Sequence, residues 1–161
     1  MLSFDELYQA YAADVFRFAL WLAGDWLEAE DVASETFVRA WARREAIRTA
    51  TLKAYLLAIA RNTYLERRRK DRRQVALDDV HPDPAPGPER QVGSRLELER
   101  VRRLLETVPE IDRAAFALRV QHELPYAEIA RVLGLSLSAA KVKVHRVRKK
   151  LLAARLEKEV P

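Results

Sequence analysis

Residues 126–151 read Tyr-Ala-Glu-Ile-Ala-Arg-Val-Leu-Gly-Leu-Ser-Leu-Ser-Ala-Ala-Lys-Val-Lys-Val-His-Arg-Val-Arg-Lys-Lys-Leu. A short amphipathic segment, a glycine and a long basic segment follow one another. Ile129 and Leu133 stand four apart and share one helix face. Ala130 is small where a second helix must come close. Gly134 takes the left-handed conformation that ends a helix, and Ser136 or Ser138 is placed to cap the next one. There Ala140, Val144, Val147 and Leu151 recur at steps of four, three and four, a single apolar stripe. Lys141, Lys143, His145, Arg146, Arg148, Lys149 and Lys150 surround it, and no acid occurs from 139 to 156. A merely solvated helix mixes its signs. The pattern is a helix-turn-helix, and duplex nucleic acid is the expected partner of its second helix.

Working outward, the 161 residues suit one ordinary domain or two small ones. Hydrophobic residues make up 49%, enough for a packed core, and no alternating strand pattern is evident. An all-α fold is expected. The formal charge of +5 suits a polyanionic partner. With no cysteine, the chain has neither a disulfide framework nor a thiolate metal site. Its first residues are acidic rather than basic, and no apolar run reaches the ~18 residues of a membrane span. A cytoplasmic location is therefore expected.

The charge is divided along the chain. Residues 1–38 hold eight acids and one base, net −7, and residues 39–73 hold twelve bases and three acids, net +9. Such opposed blocks point to two partner surfaces. A first helix is predicted over 4–22 from Leu7, Tyr11, Val15, Phe18 and Leu22. Gly24 ends it, and Asp25 with Glu28 forms a capping box for a second. That helix buries Val32, Ala33, Thr36, Phe37, Ala40 and Trp41 and exposes Asp31, Ser34, Glu35 and Val38. A third helix runs from about Leu52 to about Arg72 and buries Leu52, Tyr55, Leu56, Ile59, Ala60 and Thr63. Residues 75–94, with prolines at 82, 84, 86 and 88, read as a linker. Helices resume near Arg95 with a stripe of Leu98, Val101, Leu105 and Val108. Pro109 then restarts the chain into a helix holding Ile111, Phe116 and Leu118.

Laid out this way, the chain resembles the extracytoplasmic-function group of bacterial RNA polymerase sigma factors. The resemblance rests on Glu-Ala-Glu-Asp-Val-Ala-Ser-Glu-Thr-Phe-Val-Arg-Ala-Trp at 28–41, on Tyr-Leu-Leu-Ala-Ile-Ala-Arg-Asn opening 55–73, and on the helix-turn-helix within 99–151. It implies a two-domain, all-α initiation factor, with residues 1–74 and 95–161 as domains and 75–94 between them. Residues Asp31, Ser34, Glu35 and Val38 would bind core RNA polymerase. Arg61, Asn62, Tyr64, Arg67, Arg68 and Lys70 would meet the −10 promoter element as it melts. Ser138, Lys141, Lys143, His145 and Arg146 would meet the −35 element. The connection 43–51 would pocket a flipped base, and the acids of the linker (78, 79 and 83) would lie near the RNA path. An anti-sigma factor is the expected regulator. Ser34 stands where the family usually has Gln, and Ser138–Val144 departs from the usual start of the recognition helix.

No enzyme is expected. Histidines 81, 122 and 145 are scattered, and no Walker loop, dinucleotide fingerprint or zinc helix occurs, so no cofactor, metal ligand or catalytic residue is assigned. Two rival readings remain at this level: a stand-alone duplex-binding regulator, and a polymerase-binding decoy that never touches bases.

Overall fold

The computed structural model describes residues 2–46, 52–77 and 92–159. Among them seven α-helices follow in order: α1 Phe4–Ala23, α2 Trp26–Ala42, α3 Leu52–Leu77, α4 Val92–Glu106, α5 Glu110–Val120, α6 Tyr126–Leu133 and α7 Leu137–Glu159. A short 3-10 turn covers Arg44–Ala46 after α2. The expected all-α fold is what forms.

Local chemistry sets the helix limits. Ser3 Oγ accepts the Glu6 amide at 3.1 Å, and Asp5 and Glu6 complement the positive end of α1. At its other end Gly24 adopts φ +68°, and its amide closes on the Leu20 carbonyl at 2.8 Å. Asp25 then caps α2 by accepting the Glu28 amide at 3.2 Å. Only this half of the expected capping box forms, because the Glu28 carboxylate is taken by Arg67.

The apolar stripes of α1, α2 and α3 close on one another. Leu7, Val15, Phe18 and Leu22 meet Val32 and Phe37, with Leu52, Leu56, Leu57 and Ala60 completing this core. Thr36 is buried among them because its hydroxyl donates to the Val32 carbonyl at 2.6 Å. A second set of buried residues, Leu118, Ile129, Leu133, Ala140, Val144 and Val147, holds α5, α6 and α7. The two sets touch. Trp21 of α1 stacks on Phe116 of α5, ring centroids 5.8 Å apart, and Phe18 meets His122 edge-on at 5.6 Å.

Two sequence expectations need adjusting. Helix α3 continues to Leu77 and α4 begins at Val92, so the predicted linker 75–94 is helical at both margins. The acids proposed at 78, 79 and 83 lie outside the described residues. Val101, expected on the buried stripe of α4, is 42% exposed. Inward contact there comes from Arg102, whose Nε lies 3.4 Å from the position a side chain on Gly24 would occupy.

Candidate nucleic-acid interface

The helix-turn-helix forms as its residues dictate. Gly134 closes α6 at φ +66°, and the Leu135 amide reaches back to the Ala130 carbonyl at 2.9 Å. Ser136 Oγ accepts the Ala139 amide at 3.1 Å and so caps α7. With Ala140, Val144 and Val147 turned inward, the outward face of α7 is cationic. Ser138, Lys141, His145 and Arg146 are all exposed there. Lys141 Nζ stands 5.8 Å from the Tyr126 ring centroid, a contact that leaves its charge accessible. Lys143 is placed differently. Its ammonium pairs with the buried Asp112 of α5 at 3.1 Å, so it ties the recognition helix to its support.

On α3 the candidates divide in the same way. Asn62, Arg68 and Lys70 are exposed. Arg68 lies over the Tyr64 ring at 5.8 Å. Tyr64 itself, expected to face nucleic acid, is a core residue with 2% exposure. It shares the inward face with Ala60 and Thr63. Arg61 donates through Nε and Nη2 to both oxygens of Glu110, each at 2.8 Å. Arg67 turns toward α2. It reaches Glu28 at 2.8 Å, Asp31 at 3.2 Å and Glu35 at 3.7 Å.

Arg67 therefore links the basic helix to the acidic one, with Arg39 as a second rung. Arg39 Nη2 meets Glu35 at 2.8 Å and Glu66 at 2.7 Å. The Arg39 hydrogen bond holds the Glu66 carboxyl below the usual carboxylate range. The corresponding bond that Arg67 donates to Glu28 raises the Arg67 pKa above its ordinary value. Both guanidinium groups stay charged.

Four residues expected at a protein-binding face, Asp31, Ser34, Glu35 and Val38, do share one side of α2. Asp31 and Ser34 are exposed, Glu35 is half-buried beside its arginines, and Val38 is 64% exposed. The sequence reading missed Leu27, which is 70% exposed and precedes Asp31 by one helical turn. Extending the 31–35 spacing back by four residues would have found it. Solvent-facing leucine and valine thus bracket the acids, an arrangement suited to a partner that is both basic and apolar. Of the connection expected to pocket a base, Arg43 to Ala46 are exposed, with Arg44 over the Trp41 ring at 4.5 Å. Its remainder, 47–51, lies outside the described residues.

Neither a cluster of metal-ligating groups nor a helix long and apolar enough to cross a membrane occurs among the described residues. Comparison with known proteins assigns both halves. Residues 7–74 match the family model described as Sigma-70 region 2, and residues 98–151 match that of Sigma-70, region 4. The chain is similar to the ECF RNA polymerase sigma factor SigM of Bacillus subtilis, with 29% identity over 94% of each chain. It is 31% identical to the ECF RNA polymerase sigma factor SigL of Mycobacterium tuberculosis, over 86% of this chain and 81% of that one. Among solved structures, the sigma factor RpoE of Bartonella quintana, crystallised with the anti-sigma factor NepR, superposes with a TM-score of 0.78. That match has 27% identity and covers 92% of this chain and 93% of the other.

Proposed function

This chain belongs to the extracytoplasmic-function group of the sigma-70 family, and on that premise we propose that it is a transcription initiation factor. It binds core RNA polymerase, carries it to promoters and helps open the −10 element, while the polymerase performs the chemistry. It works where the polymerase works, in the cytoplasm. The carrying observation is the order of the two matched regions along one chain, region 2 at 7–74 and region 4 at 98–151. A stand-alone duplex-binding regulator has no use for the first of these.

Each surface takes a role from its chemistry. Asp31, Ser34, Glu35 and Val38, with Leu27, form the polymerase-docking face, in which acids steer the encounter and the apolar pair is desolvated on contact. Asn62, Arg68 and Lys70 receive the −10 strand as it unpairs. Breaking each base step costs roughly 1.4 kcal/mol, which contacts to the extruded strand must offset. Ser138, Lys141, His145 and Arg146 meet the −35 duplex. By analogy with the neighbour bound to NepR, an anti-sigma protein is the proposed regulator. Run-off transcription with purified core polymerase tests the reading. Promoter-specific RNA that appears only with this chain supports it. Duplex binding without polymerase stimulation would instead favour the regulator, and inhibition alone the decoy.

A further inference from the structure

The outward face of α7 is cationic, yet an apolar residue stands at its centre. Val142 comes two residues after Ala140 and two before Val144, both buried, so at 3.6 residues per turn it points about 160° away from each. It is 47% exposed. Ser138 lies one turn before it and His145 one turn after, both exposed, and the three residues form a line along the first half of the helix. Lys141 and Arg146, also exposed, flank that line.

A single exposed valine is ordinary on a protein surface. Two features set this one apart. Valine is a poorer helix former than alanine or lysine, and Val142 recovers nothing by packing, since it lies outside the hydrophobic core and the residues packed against it. Its side chain is also stiff. In a helix valine keeps one rotamer in about 90% of cases, so its two methyl groups are held in a fixed place before any partner arrives. With neither donor nor acceptor, Val142 cannot hydrogen-bond a base edge. The apolar group that a base pair offers in the major groove is the C5-methyl of thymine. Against any other edge, the valine would strip water from a polar group and give it no partner.

We propose that Val142 is a specificity-determining residue: on the functional reading above, on which this inference rests, it packs on the methyl group of one thymine in the −35 element and selects for that base pair. The polar residues around it take the hydrogen bonds to the neighbouring bases and phosphates.

Core polymerase loaded with the full chain can select duplexes from a promoter library randomised across the −35 region. The selected element is then resynthesised with uracil in place of each thymine in turn. Uracil pairs as thymine does and lacks only the methyl group. At one position uracil should weaken binding about fourfold, the effect of one buried methyl group. Val142→Ser should abolish that sensitivity and relax the choice of base there, and Val142→Ile should keep both. Val101→Ser, which alters a similarly exposed valine on α4, should leave the wild-type pattern intact. Val142→Ala should not lower the melting temperature of the free chain, because the side chain supports nothing in it. A −35 element without a uracil-sensitive thymine, sensitivity that survives in Val142→Ser, or a lowered melting temperature in Val142→Ala overturns the proposal. If the wild-type chain enriches no −35 element at all, the functional reading falls and this inference with it, a result distinct from an enriched element indifferent to uracil.

Discussion

Between α2 and α3, arginines and carboxylates consume one another; along α7 the cations stand open. Arg39 and Arg67 are each held by two or more acids. On α7, His145, Arg146, Arg148 and Lys149 have no acidic partner among the described residues. The first arrangement stiffens a joint and costs the chain little of its solubility. The second keeps its field for a partner. Charge counted along a sequence cannot tell the two apart, because what matters is whether an opposite charge is folded against it.

Substitutions that move a residue from one class to the other test the contrast. The largest effect is expected at the buried member of a pair. Asp112→Asn leaves the mostly buried Lys143 ammonium without its carboxylate and should cost about 3 kcal/mol in chemical denaturation. Acid should act next, through His122, whose burial lowers its pKa to about 4. The Lys53 and Arg17 charges also lower it, and the Asp14 carboxylate, 4.0 Å from Nδ1, opposes them. The folded value lies below the ordinary 6.5, so the unfolded chain binds the extra proton. Stability is therefore full above about pH 6.5 and falls as the pH drops toward 4, by about 2 kcal/mol between pH 7 and pH 5. Denaturation at several pH values checks this, and His122→Gln should flatten the slope. Smallest in stability, and sharpest as a comparison, is Arg67→Ala beside Arg146→Ala. The first should cost about 1 kcal/mol, since its pairs are partly solvated, and it should barely change the salt dependence of DNA binding. The second should leave the melting temperature in place yet reduce the slope of log affinity against log salt by about 0.9.

Much of this molecule was legible in advance. The steps of four and three in α1, the two glycines that end α1 and α6, and the stripe of α7 are local facts, and they hold. Partners were less legible. The run 67–73 looks like one basic surface, yet Arg67 falls seven residues after Ala60 and four after Thr63, on the buried stripe of α3. That register carries it toward α2, while Arg68, Arg69 and Lys70 point away. The same register buries Tyr64. Arg61 and Glu110 are 49 residues apart, and nothing in either neighbourhood names the other. Such pairings exist only once two helices have met, so periodicity supplies the face and packing supplies the contact.

Helix α3 is unbroken from Leu52 to Leu77. It bears Lys53 and Arg61, which grip the helix-turn-helix half, and six residues beyond Arg61 it bears Arg67, which grips α2. Those six residues span about 9 Å of rigid rod. Both grips therefore ride on one stiff rod, and a shift at either ion pair is carried along the helix with no loop between them to absorb it.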